Sequence, residues 1–356
     1  MPQDFYLLPR GLLYGEAAAD AVVAGEAAWL AGGPVAWTLA QVIEGAPGAS
    51  RRQLRRYADL KASRSEGLRA LLANICAPRP PLAGLPMDRT QIMGVVNVTP
   101  DSFSDGGEFL EPQAAVAHGL ELAKAGAGIL DIGAESTRPG SGGVPLKEEL
   151  ARVLPVIEGL RNAGAVLSLD TRKAGAMARG AEAGARMLND VSALTHDPDA
   201  LESARACGLP VVLMHARGDP KTMQDDPRYD DVLFEVYDYL EARIAACEAA
   251  GIPRQMLIAD PGIGFGKTLE HNLTLISNMA LFHGLGVALL LGASRKRFIG
   301  TLSGEPQARK RLGGSVGVML AAAAQGVQIH RMHDAREARA ALTLWQACTT
   351  GRAGMV

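Results

Sequence analysis

Eight short apolar runs, nearly all ending on or close to a polar side chain, constrain this chain more than any other feature. They are Ile92–Val96, Ile129–Ile132, Val166–Leu169, Arg186–Leu188, Val211–Met214, Met256–Ala259, Val287–Leu291 and Val327–Ile329. Amphipathic stretches of about 12 to 20 residues lie between them, among them Pro112–Ala125, Leu146–Ala163, Tyr229–Ala250 and Arg336–Ala347. Apolar runs too short for helices, alternating with helical segments, read as repeated βα units. Eight such units in roughly 265 residues fit the size of a (β/α)8 barrel. A doubly wound open sheet would rarely need eight units so evenly spaced. The expected fold is therefore α/β, a TIM barrel over residues 91–356.

A barrel of this kind collects its active site at the C-terminal ends of its strands. The residues that follow the runs are Asn97, Asp131 with Glu135-Ser136-Thr137-Arg138, Asp170, Asn189-Asp190, His215, Asp260, Ser294-Arg295-Lys296, and Arg331 with His333. Any one such Asp reads as a helix N-cap. Eight polar strand ends in register do not. Asp170, Asn189 and Asp260 offer carboxylates and an amide to a flat heterocycle rich in N–H groups. Arg331, His333, Lys296 and Arg138 put positive charge on the same rim, as a diphosphate or carboxylate requires. Asn97, near Asp101 and Asp105, is a neutral oxygen donor suited to Mg²⁺ beside a phosphate. The pattern suggests a planar heterocycle at the barrel centre and an anionic leaving group at its mouth.

Composition excludes several other classes. A formal net charge of -2 argues against a general nucleic-acid binder. Cys76, Cys207, Cys247 and Cys348 form no C-x-x-C pair, so free thiols in a reducing compartment are expected rather than disulfides or zinc. Asp20 and Glu26 interrupt the Ala-rich segment near the start, which does not fit a signal peptide. Runs such as Val287–Leu291 are far too short to cross a membrane. A cytoplasmic protein with no membrane partner is expected, as is a homodimer.

Two other segments stand out. Ala77-Pro78-Arg79-Pro80-Pro81, with Gly84 and Pro86 after it, reads as a Pro-rich linker over residues 78–90. Before it, residues 1–77 form an extension of about 80 residues, with an Ala-rich helical stretch and a basic run, Arg51-Arg52-Gln53-Leu54-Arg55-Arg56. That run is expected as a solvated helix face, with an anion or partner contact as the alternative. The extension could cover the barrel bottom, help dimerise, or cap the site. Asp260-Pro261-Gly262-Ile263-Gly264-Phe265-Gly266-Lys267-Thr268 ends like a P-loop, but Pro261 stands where the first glycine is required. A lid-like turn with Lys267 near the pocket fits better. Gly313-Gly314-Ser315-Val316-Gly317 opens a helix, where close packing explains the glycines, and His215 is open between ligand contact and core.

Read together, the motifs resemble dihydropteroate synthase over about Gln91 to Ala347. The resemblance rests on Met93-Gly94-Val95-Val96-Asn97-Val98-Thr99-Pro100-Asp101-Ser102-Phe103-Ser104-Asp105-Gly106-Gly107 and Asp131-Ile132-Gly133-Ala134-Glu135-Ser136-Thr137-Arg138-Pro139-Gly140. Ser168-Leu169-Asp170-Thr171, Leu188-Asn189-Asp190-Val191, Met214-His215, the Asp260–Lys267 loop, Gly292-Ala293-Ser294-Arg295-Lys296 and Arg331-Met332-His333-Asp334 follow in order. It implies folate biosynthesis: a pterin diphosphate joined to p-aminobenzoate, with Mg²⁺ as cofactor. It implies that Asp170, Asn189, Asp260 and Lys296 bind the pterin, with Met214 and Phe265 against its ring. Asn97 would hold Mg²⁺ and diphosphate, with Arg331 and His333. Phe103, Thr137, Arg138 and Pro139 would shape the p-aminobenzoate site, where sulfonamides also bind in the family. Asp101 and Ser294 would serve as loop or catalytic residues. The chain departs from the family pattern at Ala134, usually Gly, and at Ala216-Arg217-Gly218-Asp219 after His215.

Overall fold

A computed structural model describes residues 5–45, 51–98, 111–135, 143–218 and 223–352. The chain opens with β1 (Phe5–Leu13), α1 (Gly15–Val23), β2 (Ala28–Trp29), β3 (Ala36–Glu44), β4 (Arg51–Arg56), α2 (Tyr57–Lys61) and α3 (Glu66–Cys76). Strand β3 is central, pairing antiparallel with β1 on one side and with β2 and β4 on the other. The basic run is thus an edge strand and not a helix face. A single leucine among four arginines gives a helix no apolar stripe to bury, whereas pairing with Leu39–Glu44 satisfies its backbone. Arginines on an edge also discourage further strand addition.

The barrel follows the expected order. Its strands are β5 (Gln91–Asn97), β6 (Ile129–Gly133), β7 (Val166–Asp170), β8 (Met187–Asp190), β9 (Val211–Met214), β10 (Leu257–Asp260), β11 (Ala288–Leu291) and β12 (Ile329–Met332). All neighbours are parallel and β12 closes on β5. The helices between them are α4 (Glu111–Lys124), α5 (Leu146–Leu160), α6 (Ala174–Ala183), α7 (Ala200–Cys207), α8 (Val232–Ala249), α9 (Leu269–Ser277), α10 (Arg297–Ser303) and α11 (Leu312–Ala323), with α12 (Ala335–Thr350) last. Several strands start later than the apolar runs. Met256 belongs to a short 3-10 turn, and β12 extends past its apolar run to include Arg331. Asn97, Asp170, Asn189-Asp190 and Asp260 thus end their strands, whereas His215 and Ser294-Arg295-Lys296 follow theirs.

Leu82 and Met87 close the barrel bottom, buried against Met93, Ile129, Met187, Val212, Ile258 and Ile329. They belong to the Pro-rich stretch, where Leu82 and Leu85 exchange backbone hydrogen bonds across a tight turn at Ala83-Gly84. The N-terminal sheet docks beside this end. Tyr6 stacks on Phe234 of α8 with ring centroids 4.4 Å apart, and its hydroxyl donates to Asp238 at 2.8 Å. Arg79 is 7% exposed and donates only to main-chain oxygens, of Asn74, Ala77, His283 and Val287. It pins the end of α3 to the barrel. No helix among the described residues is long and apolar enough to cross a membrane.

Candidate active site

Strand residues alternate between the barrel interior and the surrounding helices, so every second residue near a strand's C-terminal end points inward. That alternation brings Asp131, Asp170, Asn189 and Arg331 together. Arg331 donates from Nε to Asp131 Oδ2 at 2.6 Å and from Nη2 to Asp170 Oδ2 at 2.9 Å. Asn189 Nδ2 donates to Asp131 Oδ2 at 3.0 Å, and Ser168 Oγ to Asp131 Oδ1 at 2.7 Å. Asp131 is fully buried and is the hub of the cluster. The sequence reading named it as a strand end and gave it no role in binding. Its inward register opposite Ser168 is the signal that could have found it.

Asp260 and Lys296 complete the polar floor. Asp260 Oδ1 accepts from the Gly262 amide at 2.8 Å, while Lys296 Nζ donates to the Ile263 carbonyl and sits 4.5 Å from the centre of the Phe265 ring. Met214 lies beside Asp260 in the β9–β10 register. The Asp260–Thr268 loop is a tight turn with positive φ at Gly262, Gly264 and Gly266. Gly262 has φ +68°, and a Cβ there would lie 1.8 Å from the His215 carbonyl oxygen, so only glycine fits. Lys267 does not face a ligand. It is 3% exposed, with Nζ 2.9 Å from His215 Nδ1, and this pairing makes His215 a core residue.

Ser294 is buried and its hydroxyl lies 3.0 Å from His333 Nδ1, which orients that ring on the rim. Asn97, half-buried, ends β5 opposite Gly133. Asp101, Phe103, Thr137, Arg138 and Pro139 lie outside the described residues, as do Asp105 and Asp219.

The charges explain what the pocket can hold. Three carboxyl groups, Asp131, Asp170 and Asp260, face two basic groups, Arg331 and Lys296. Burial raises the Asp170 carboxyl to about 8, with Asp131 adding to the rise and Arg331 opposing it. Burial also raises Asp260, and it lowers Lys296 to about 8 despite Asp260. For Arg331, burial works against the charge, but Asp131 and Asp170 outweigh it and raise the group further. A flat ligand with several N–H donors and a delocalised positive charge fits this floor better than an anion does.

The profile of the pterin binding enzyme family matches residues 93–333. Dihydropteroate synthase of Escherichia coli strain K12 is 45% identical over 269 residues, covering 75% of this chain and 95% of that one. The chain belongs to the dihydropteroate synthase family. Family membership makes it a transferase, built on the barrel that its solved relatives share. Xanthomonas albilineans dihydropteroate synthase with 4-aminobenzoic acid superposes with a TM-score of 0.72 at 49% identity, covering 76% of this chain and 98% of that one. The same enzyme in complex with 7,8-dihydropteroate gives a TM-score of 0.69 at 47% identity, with the same coverage. The family profile begins at residue 93, so the N-terminal sheet lies outside the shared barrel.

Proposed function

We propose that the chain condenses 6-hydroxymethyl-7,8-dihydropterin diphosphate with p-aminobenzoate, giving 7,8-dihydropteroate and diphosphate. The observation that carries this reading is the Asp131–Arg331–Asp170–Asn189 cluster, flanked by Asp260 and Lys296 at one end of the barrel. Asp170, Asn189, Asp260 and Lys296 bind the pterin edge, with Met214 and Phe265 against its faces. Asn97, Arg331 and His333 receive the diphosphate, and Phe103, Thr137, Arg138 and Pro139 receive p-aminobenzoate.

Diphosphate departs before the amine attacks. An aryl amine is a weak nucleophile, because its lone pair is delocalised into the ring. Breaking the methylene C–O bond first leaves a cation spread over the pterin, and the carboxylates of Asp170 and Asp260 stabilise it. The amine nitrogen then bonds to the methylene carbon and loses a proton. Excluding water protects the cation in the interval.

The donor set fits Mg²⁺ bound mainly through substrate. Among the described residues no three His, Cys, Asp or Glu side chains are grouped to hold a metal. Mg²⁺ beside a phosphate needs only one or two protein oxygens, and Asn97 at the end of β5 can supply one. When bound, the ion neutralises charge on the diphosphate.

Four free cysteines support a cytoplasmic location. A homodimer is supported by α11, whose Gly313, Gly317 and Ala321 form an exposed stripe of small residues at four-residue spacing. Only Gly314 of that motif is needed for packing within the chain: a Cβ there would meet Ile299 at 2.3 Å.

The test is direct. Purified protein with Mg²⁺, the pterin diphosphate and p-aminobenzoate is expected to release diphosphate and form dihydropteroate. Pterin binding without product would make the chain a non-catalytic pterin binder instead.

A further inference from the structure

The Asp260–Thr268 loop carries Phe265 to the rim, and four consecutive carbonyls in it are each taken by a different side chain. Lys296 Nζ holds the Ile263 oxygen, Gln224 Nε2 that of Gly264 at 2.5 Å, Lys267 Nζ that of Phe265 at 3.1 Å, and the Tyr229 hydroxyl that of Gly266 at 2.9 Å. Lys267 belongs to the loop and turns its side chain into the protein. Besides Phe265 its Nζ contacts His215 Nδ1 at 2.9 Å and the His215 carbonyl at 3.3 Å. The two His215 contacts tie the loop to the residue that follows β9, next to Met214. No carboxylate among the described residues lies within ion-pair distance of Lys267. A buried ammonium without one is costly, and burial pushes Lys267 well below the ordinary lysine range. A side chain kept there for solubility or surface charge would gain nothing. One that sets the geometry of three main-chain and ring atoms gains all three contacts.

We propose that Lys267 is a positioning residue for the pterin: it fixes the Phe265 peptide against the end of β9, and so sets the spacing between the Phe265 ring, Met214 and Lys296. This rests on the reading of Phe265, Met214 and Lys296 as pterin contacts. Lys267 itself touches no substrate. Displacing a bound group by about 1 Å is enough to lose one to two orders of magnitude in its use, so the effect falls on the pterin and leaves p-aminobenzoate unchanged.

The variants are Lys267→Met, which fills the space without donors, Lys267→Gln, which restores two N–H donors, and His215→Leu, which removes the ring acceptor and keeps apolar bulk. Pterin diphosphate affinity is measured by direct titration, the KM for p-aminobenzoate at saturating pterin by steady-state kinetics, and folding by thermal melting. With Lys267→Met, pterin affinity is expected to fall about tenfold while the KM for p-aminobenzoate stays within about twofold. Lys267→Gln is expected to recover much of the loss. Unchanged pterin affinity, a parallel loss for both substrates, or a glutamine variant no better than methionine overturns the proposal. If Lys267→Met does not fold, His215→Leu decides: pterin affinity about threefold weaker supports the proposal, and no change overturns it. An unmutated chain that fails to bind the pterin diphosphate removes the functional reading and this inference together. Tight binding by both the unmutated chain and Lys267→Met removes only the inference.

Discussion

Arg331 Nη2 donates to Asp170 Oδ2 at 2.9 Å, so the carboxyl group proposed to bind the pterin is already engaged by the arginine proposed to receive the diphosphate. The second carboxylate on that guanidinium is Asp131, through Nε. On that assignment a pterin edge arriving at Asp170 meets a group already shared with Arg331, while Asp131 keeps the guanidinium in the pocket. The two halves of the pterin diphosphate would then be read by one coupled group of side chains.

Asp131→Asn is expected to lower kcat/KM for the pterin diphosphate by about 100-fold. The amide oxygen can still accept from Arg331 and Asn189, with the NH2 group turned to the Ser168 hydroxyl, but a neutral amide cannot balance the Arg331 charge. Breaking one partner of a buried ion pair also destabilises, here by about 3 kcal/mol. Steady-state kinetics and urea denaturation check the two effects separately. Wild-type kinetics in this variant would show that Asp170 alone orders the cluster.

Lys296 makes the site sensitive to alkaline pH. Burial lowers it to about 8, and its cation is needed beside Phe265 and Asp260. The kcat/KM for the pterin diphosphate is therefore expected to fall above about pH 8 as Lys296 loses its proton, while Asp170, raised to about 8, sets the rising limb below it. In Lys296→Arg the charge persists, and the falling limb moves out of range. The stability signs are opposite for the two perturbed groups. Lys296, lowered on folding, adds stability as pH rises from about 8 toward the ordinary lysine value of 10.5. Asp170, raised on folding from 3.8 to about 8, loses stability as pH climbs through that interval. A falling limb unmoved in Lys296→Arg would assign the titration elsewhere.

Arg79→Met tests the joint between the N-terminal sheet and the barrel. The substitution leaves the carbonyls of Asn74, His283 and Val287 without their donor in a buried seam. The expected cost is about 2 to 4 kcal/mol in urea denaturation. Activity at low temperature is expected to be retained, because Arg79 lies at the opposite end of the barrel from Asp170. A loss of kcat with unchanged stability would tie the sheet to the chemistry.

The barrel was legible in the sequence because each βα unit carries its own local signal, an apolar run and then an amphipathic stretch. Asp170, Asn189 and Asp260 were legible as strand ends for the same reason. Asp131 was not, since a carboxylate inside an apolar run shows its use only when the barrel closes and brings Arg331 across from β12. The basic run was misread as a helix because its partner strand, β3, has to be in place before Arg51–Arg56 gains backbone hydrogen bonds. Lys267 and His215, 52 residues apart in the chain, face each other only through the β9–β10 pairing. Local pattern gives elements, and long-range register decides which side chains meet.

On the proposed homodimer, Gly317→Arg is expected to convert a dimer to a monomer without unfolding the chain. Gly317 is exposed on α11, and among the described residues nothing lies within 4 Å of a Cβ built there. The substitution therefore costs no packing within one chain. In a helix interior arginine is also favoured over glycine by roughly 0.5 to 1 kcal/mol, so the isolated helix gains. Any loss of association must then come from the partner surface, where a long cation cannot approach a small-residue stripe closely and its charge is desolvated or repelled by its symmetry mate. Light scattering after size exclusion reads the mass, and far-UV circular dichroism reads the helix content. A monomer with unchanged helix content places the interface on α11, whereas a persisting dimer puts it on another face of the barrel.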